Sequence, residues 1–313
     1  MKHVFIIERR LFFNQQWKLD SLLDSIGQSF RTQENPNFSV VTSKYPRDAI
    51  EIIQKQLDAA DIVRVYAIGG DSILYDCLNG IVGLPNMDLA IVPYGVINNF
   101  IRSFGEGKTE LFRDIQSLIT ASVIPTDIIN VGSNYAINGC AVGFIPAVAA
   151  RIREAKFENE LNRPATALLR SWITLNTVFD NEIAAGKYTI TIDNNDYSGQ
   201  YSLVNVVNGP YFGRKKNAPV AGAVPDDGLL DVMLFKSAGT LSTWGSVGKY
   251  SRGKTPSNCV RVQAKKVAVH SDKPMWIQMD NEHLTDTGVT FEVVPQAVNV
   301  VAVNNLTYQR FLE

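Results

Sequence analysis

Ile62-Val63-Arg64-Val65-Tyr66-Ala67-Ile68-Gly69-Gly70-Asp71-Ser72 is the stretch on which the reading of this chain turns. A short apolar run ends in two glycines and an acid, and the segment from about Ser72 to Gly80 then has helical character. Strand, glycine turn and helix in that order is the grammar of a parallel α/β sheet. Glycines at such a strand end let backbone N–H groups approach phosphate oxygens, and Asp71 at the head of the helix can reach a ligand or a metal. The same residues also make an ordinary tight turn with an aspartate cap, and the stretch alone does not choose between the two.

Working outward, Val4–Ile7 and Phe38–Thr42 read as earlier strands, and apolar residues at 49, 50, 53 and 57 place a helix after Pro46. Leu89–Val92 reads as a further strand, stopped by Pro93 and followed by Tyr94-Gly95-Val96-Ile97-Asn98-Asn99-Phe100. In a parallel sheet, two neighbouring strand ends carrying such turns form one crevice. After about Thr126 the texture changes to short strands separated by Gly, Asn and Asp turns: Tyr188–Ile192, Tyr201–Val207, Leu229–Leu234, Val260–Val269, Met275–Met279, Val289–Val294 and Val298–Val303. One helical stretch, around Ala165–Phe179, interrupts them. The expected fold is a doubly wound parallel α/β domain over 1–126 and a β-sandwich over 127–303, with a tail, 304–313, returning to the first domain and an active cleft between the two.

The chain has 313 residues, with 30 Lys+Arg against 31 Asp+Glu. So even a balance argues against a protein whose business is neutralising the phosphates of nucleic acid, and it removes bulk attraction to anionic membranes. Cys77, Cys140 and Cys259 lie far apart in no C-x-x-C pair, which suits reduced thiols in an intracellular compartment. No apolar run approaches the length of a membrane span, so a soluble, cytoplasmic protein is expected. Gly248-Lys249-Tyr250-Ser251-Arg252-Gly253-Lys254-Thr255 satisfies a phosphate-loop pattern, but helix-like sequence precedes it and strand-like sequence follows. That inverts the strand-to-helix setting the motif needs, so it reads as a basic loop.

Gly69-Gly70-Asp71 with Leu74 and Asn79-Gly80, and Pro93-x-Gly95-x-x-Asn98-x-Phe100, resemble two blocks of the diacylglycerol kinase catalytic domain family, shared with sphingosine kinases and more distantly NAD kinases. Asn208-Gly209, Pro219-x-Ala221, Asp227-Gly228-Leu229-Leu230-Asp231-Val232 and Gln278-Met279-Asp280-Asn281-Glu282 are similar to its later blocks, in the same order. The resemblance covers about residues 40–303. It implies ATP with Mg²⁺ as cofactors and transfer of the γ-phosphoryl to a lipid hydroxyl at a membrane surface, with peripheral membrane contact at most. Gly69, Gly70, Asp71, Ser72, Ile73, Pro93, Gly95, Val96 and Asn98 would then meet the nucleotide. Glu282 matches the proposed base, with Asp280 beside it and Asp71 completing the catalytic set, and Asp227 with the carbonyls of Val224 and Leu229 matches a structural Mg²⁺ site.

Alternation would put Asp280 and Glu282 on one face of an extended strand, which a solvated surface strand also produces. Pro225-Asp226-Asp227-Gly228 is likewise good chemistry for a type I turn.

The departures from the family cluster in the nucleotide half. Ser72-Ile73 stands for Gly-Thr, Asp76 for Glu, Val96 for Thr and Asn99 for Asp; after the first strand, Glu8-Arg9-Arg10 replaces a glycine-containing phosphate turn. Asn281 in the last block tolerates positive φ and can preserve that turn. Each lost hydroxyl removes a hydrogen bond of about 1.5–3 kcal/mol to a charged group. Two readings therefore stand: an ATP-dependent lipid kinase, or a catalytically impaired relative kept as a nucleotide- or lipid-binding regulatory protein. Arg214-Lys215-Lys216 is a candidate phosphate or membrane patch, with a solvated loop as the plainer alternative, and exposed strand edges in the β half offer a route to a homodimer.

Overall fold

The computed structural model describes residues 1–313 apart from 14, 32–33, 56–61, 96–97, 159–162, 181–182, 184, 212–219, 238–239, 251, 253 and 311–313. Val96, Pro219 and the Arg214-Lys215-Lys216 run lie outside the described residues. In chain order the first elements are β1 (Lys2–Glu8), α1 (Gln16–Ser29), β2 (Phe38–Ser43), α2 (Asp48–Lys55), β3 (Val63–Gly69), α3 (Asp71–Ile81), β4 (Met87–Pro93) and α4 (Ile115–Thr120). There follow β5 (Ser122–Val131), β6 (Asn134–Ala136), β7 (Gly139–Gly143), α5 (Phe144–Glu158), α6 (Arg163–Phe179), β8 (Gly186–Ile192), β9 (Asn195–Asp196) and β10 (Gly199–Val207). The last are β11 (Leu230–Lys236), α7 (Thr240–Tyr250), β12 (Cys259–Ala264), β13 (Lys266–Met279) and β14 (Glu282–Ala302).

Two compact units result, one of Met1–Ile128, Val224–Asp227 and Val294–Glu313, the other of Ile129–Ala223 and Gly228–Val293. The first unit is thus built from an opening segment that ends at Ile128, a short insertion at Val224–Asp227 and a closing segment from Val294.

In the first unit the strands run β2-β1-β3-β4, all parallel, and β4 also pairs in parallel with the end of β14. β3 and β4 are buried along their whole length, as strands covered on both faces must be. The register of β1 on β3 ends at Ile7↔Ile68, and that of β3 on β4 at Gly69↔Pro93. Glu8 and Gly69, the next residues of β1 and β3, therefore share the carboxyl edge. The connection from β1 leads to β2 on one side while that from β3 leads to β4 on the other, which makes β1/β3 the topological switch point where open α/β sheets hold ligands. Near the C-terminus, the Tyr308 hydroxyl shares a 2.6 Å hydrogen bond with Thr126 Oγ1, and Tyr308 packs on Phe100 and Phe104.

The second unit is antiparallel, in the order β12-β11-β10-β7-β13-β14, with β8 pairing both β10 and β13. Its core gathers Leu203, Val207, Met233 and Phe235 with Tyr250 of α7. The stretch read as one strand, 260–269, is two. Asp193 accepts the N–H groups of Lys265 and Lys266 at 2.9–3.1 Å, and this side chain takes the place of a ladder partner between β12 and β13. Conversely 289–294 and 298–302 belong to one strand, which passes through Gln296 at φ +50, while Val303 starts a 3-10 turn. Helix α7 runs into the start of the phosphate-loop pattern, through Tyr250, and β12 follows it, the reverse of a nucleotide-binding order. No helix among the described residues is long and apolar enough to cross a membrane.

Candidate active site

In the first unit the two glycine turns meet. Tyr94 and Gly95 both donate their N–H groups to the Gly69 carbonyl, at 3.1 and 2.9 Å. A Cβ on Gly95 would lie 2.3 Å from Gly70 Cα, so only glycine permits this approach. Asn98 Nδ2 donates to the Gly95 carbonyl at 2.7 Å, which fixes the second turn from within. Asp71 opens α3, whose N-cap residue, Gly70, provides no side-chain cap. The Asp71 carboxylate accepts both the backbone N–H of Asn99 at 3.0 Å and its side-chain amide at 2.9 Å. An amide at 99 therefore ties the two turns together where a carboxylate would repel Asp71.

Gly69, Gly70, Asp71, Ser72, Pro93, Gly95 and Asn98 are thus assembled along one edge. The Ile73 side chain is 3% exposed and packs against Gly69, which leaves its backbone as the part that could meet a ligand. Asp76, in the family's Glu position, is buried and accepts the N–H of Arg47 at 2.8 Å. Glu8, which the sequence marked only as a departure, accepts the Gly70 N–H at 3.2 Å.

In the second unit the expectation for Asp280 changes. Asp280 and Asn281 form the turn between β13 and β14, and Asp280, rather than Asn281, has positive φ, +48. Strand alternation therefore breaks between Asp280 and Glu282. The half-buried Asp280 carboxylate accepts N–H bonds from Ile137 at 2.8 Å, Asn138 at 3.0 Å and Gly139 at 2.9 Å. Burial pushes its carboxyl up to about 6, against the pull of those donors. Asn208 grips the same turn, its amide donating to the Ile137 carbonyl at 2.8 Å. Asp280 consequently braces the 137–139 turn, with three of its acceptor positions taken by backbone N–H groups.

Glu282, at the start of β14, is half-buried and faces Arg153 of α5, with Nη1 3.4 Å from Oε2. Arg153 also donates to the Asn281 carbonyl at 3.3 Å. No sequence pattern pointed to Arg153, because its partner lies 129 residues away. The adjacent His283 is held down to about 4 by burial and then by Arg153, so its imidazole is neutral at pH 7. Neither ring nitrogen has a hydrogen-bond partner.

Val224, Asp227 and Leu229 lie on one short stretch in which Gly228 has φ +76. Asp227 is exposed, while its neighbour Asp226 is engaged by Arg310 at 3.1 Å. Among the described residues no group of three or more His, Cys, Asp or Glu could hold a metal. Cation binding here would rest on one carboxylate, carbonyls and water, a donor set that suits a hard ion such as Mg²⁺.

Comparison with known proteins bears on both halves. The family model described as "Diacylglycerol kinase catalytic domain" matches residues 11–131, and that described as "YegS C-terminal NAD kinase beta sandwich-like domain" matches 148–302. A Staphylococcus aureus (strain Mu3) protein named "Putative lipid kinase" is 22% identical over 311 residues, covering 95% of this chain and 97% of that one. Two solved structures from Bacillus anthracis str. Sterne, each titled as a "putative diacylglycerol kinase", superpose with TM-scores of 0.73 and 0.72 over 98% of both chains. Their sequence identities, 20% and 21%, make this a likeness of fold.

Proposed function

Because this chain belongs to the diacylglycerol kinase catalytic domain family, with that domain over 11–131 and the β-sandwich-like domain over 148–302, we propose that it transfers the γ-phosphoryl group of ATP to the hydroxyl of diacylglycerol or a related lipid. The observation that carries the reading is the paired glycine turn. Gly69-Gly70 and Gly95 bring the N-terminus of α3 to the switch-point edge of the sheet, where an anionic phosphate is favoured.

Phosphoryl transfer asks the protein for positioning, charge neutralisation and a proton acceptor. The first unit supplies the phosphate-facing backbone, stiffened by the Asp71–Asn99 bonds. Glu282 of the second unit takes the proton of the attacking hydroxyl as the O–P bond forms, and ADP leaves with the electron pair of the broken bond. Asp227 with the carbonyls of Val224 and Leu229 would hold Mg²⁺, which would supply positive charge to the transferring phosphoryl group.

A membrane surface is the source of the acceptor. Trp172, Leu175 and Phe179, spaced to share a face of α6, are 62%, 48% and 64% exposed, which supports shallow apolar docking by a protein without a charge surplus. Transfer of label from [γ-³²P]ATP to diacylglycerol in mixed micelles tests the proposal, with Glu282→Gln as the control. The reading as an impaired, nucleotide- or lipid-binding relative is favoured by one contact, the Glu8 carboxylate on the Gly70 N–H. Calorimetry with ATP and ADP, with and without Mg²⁺, separates the two readings: absence of nucleotide binding would count for the second.

A further inference from the structure

We infer that the Glu8 carboxylate occupies the phosphate position of the glycine turn, so that this side chain sets the nucleotide affinity of the protein. The inference rests on the nucleotide reading above and adds a residue to it. Glu8 ends β1, beside Gly69 at the end of β3, at the switch point of the parallel sheet. Its Oε2 accepts the Gly70 N–H at 3.2 Å. A Cβ on Gly69 would meet that same Oε2 at 2.6 Å and Glu8 Cβ at 2.9 Å, so the carboxylate lies directly against the turn. Gly70 is the N-cap of α3 and offers no side-chain acceptor of its own. The positive end of the α3 dipole therefore already faces an anion, one that belongs to the chain.

A phosphate oxygen and a carboxylate oxygen seek the same kind of donor, and both are negative. An incoming nucleotide must displace Glu8 from the Gly70 N–H and bear its repulsion at close range. The neighbouring Arg9 and Arg10 are exposed, and among the described residues neither pairs with Glu8, so they do not neutralise that charge. Glu8 thus acts as a positioning and affinity-determining residue. It keeps the turn ordered without ligand and weakens binding of any anion that follows.

The test is titration calorimetry of ATP and ADP into the full-length chain, its Glu8→Ala variant and the isosteric Glu8→Gln variant, each with and without Mg²⁺. Thermal unfolding midpoints check that the variants are folded, and Glu8→Gln serves should Glu8→Ala lose structure. Tightening of at least tenfold for both nucleotides, with and without Mg²⁺, is expected in either variant. Unchanged or weaker binding by the variants, including weakening seen only with Mg²⁺, would overturn the inference while leaving the nucleotide reading intact. Failure of all three proteins to bind either nucleotide would overturn both.

Discussion

The guanidinium of Arg153 lies 3.4 Å from the carboxylate of Glu282, the side chain to which the proton of the attacking hydroxyl is assigned. Both groups are partly exposed, so their attraction contributes at most about 1 kcal/mol to stability. Its larger consequence is orientation. Glu282→Gln is expected to lower kcat by roughly 10²–10⁴-fold, the usual worth of a general base. Arg153→Gln should lower it several-fold in wild type and have almost no further effect in the Glu282→Gln background. A double-mutant cycle on kcat reads the coupling directly; additive losses would separate Arg153 from Glu282.

Asp280 predicts a pH dependence of stability whose sign is set by burial. Its folded carboxyl is raised from 3.8 to about 6, so between those values the folded state binds the proton more tightly than the unfolded chain does. Stability contributed by this group is present in full below about pH 4 and is lost as pH rises through about 6, an effect on the order of 3 kcal/mol. Urea unfolding across pH 4–7 should show that slope in wild type, and the slope should disappear in Asp280→Asn. Asp280→Ala, which strands the N–H groups of Ile137, Asn138 and Gly139, is expected to cost several kcal/mol at any of these pH values.

Placing the family's aspartate at position 99 should harm this chain. Asn99→Asp sets a second carboxylate about where an amide now donates to Asp71 at 2.9 Å. A loss of about 1–3 kcal/mol is expected at pH 7, with a smaller one at pH 4, where ordinary carboxylates are half protonated. Unfolding midpoints at the two pH values check it; an equal loss at both would show that charge is not the cause.

Gly95→Ala is expected to disrupt the paired turns, because the obstacle at 2.3 Å is the Gly70 backbone and no rotamer relieves it. Nucleotide binding should fall below detection by calorimetry, while Gly83→Ala, where φ is +81 but the surroundings are open, should cost about 1 kcal/mol and leave binding intact.

The α6 stripe gives a prediction about membranes. Replacing Trp172 and Phe179 together by Ser should weaken sedimentation with diacylglycerol-containing phosphatidylcholine vesicles several-fold, with little dependence on salt. Unchanged sedimentation would remove α6 from the docking surface.

Much of the first unit was legible because β3 and β4 are buried along their whole length and end in Gly69 and Pro93. The β3–α3 and β4 turns could be placed from Gly69-Gly70-Asp71 and Pro93-x-Gly95 alone. Helices α1 and α5 carried no equally plain signal, and α5 is the one that brings Arg153 to Glu282. In the second unit the break at Lys265 depends on Asp193, far away in sequence, so no local pattern announces it. Asp280 was misread for the same kind of reason. Spacing shows that two acids alternate, but only the fold shows that Asp280 adopts positive φ and turns its carboxylate onto the 137–139 backbone. Glu8 was visible as a missing glycine turn, yet its contact with Gly70 arises from the register of β1 on β3.

Phosphate transfer remains the most direct test of the account. Purified full-length protein, incubated with Mg²⁺, [γ-³²P]ATP and diacylglycerol in mixed micelles, should place label in phosphatidic acid, and Glu282→Gln should reduce the rate by at least 10²-fold. No labelled lipid from diacylglycerol or any related lipid alcohol, or the same rate from the Glu282→Gln variant, would contradict it.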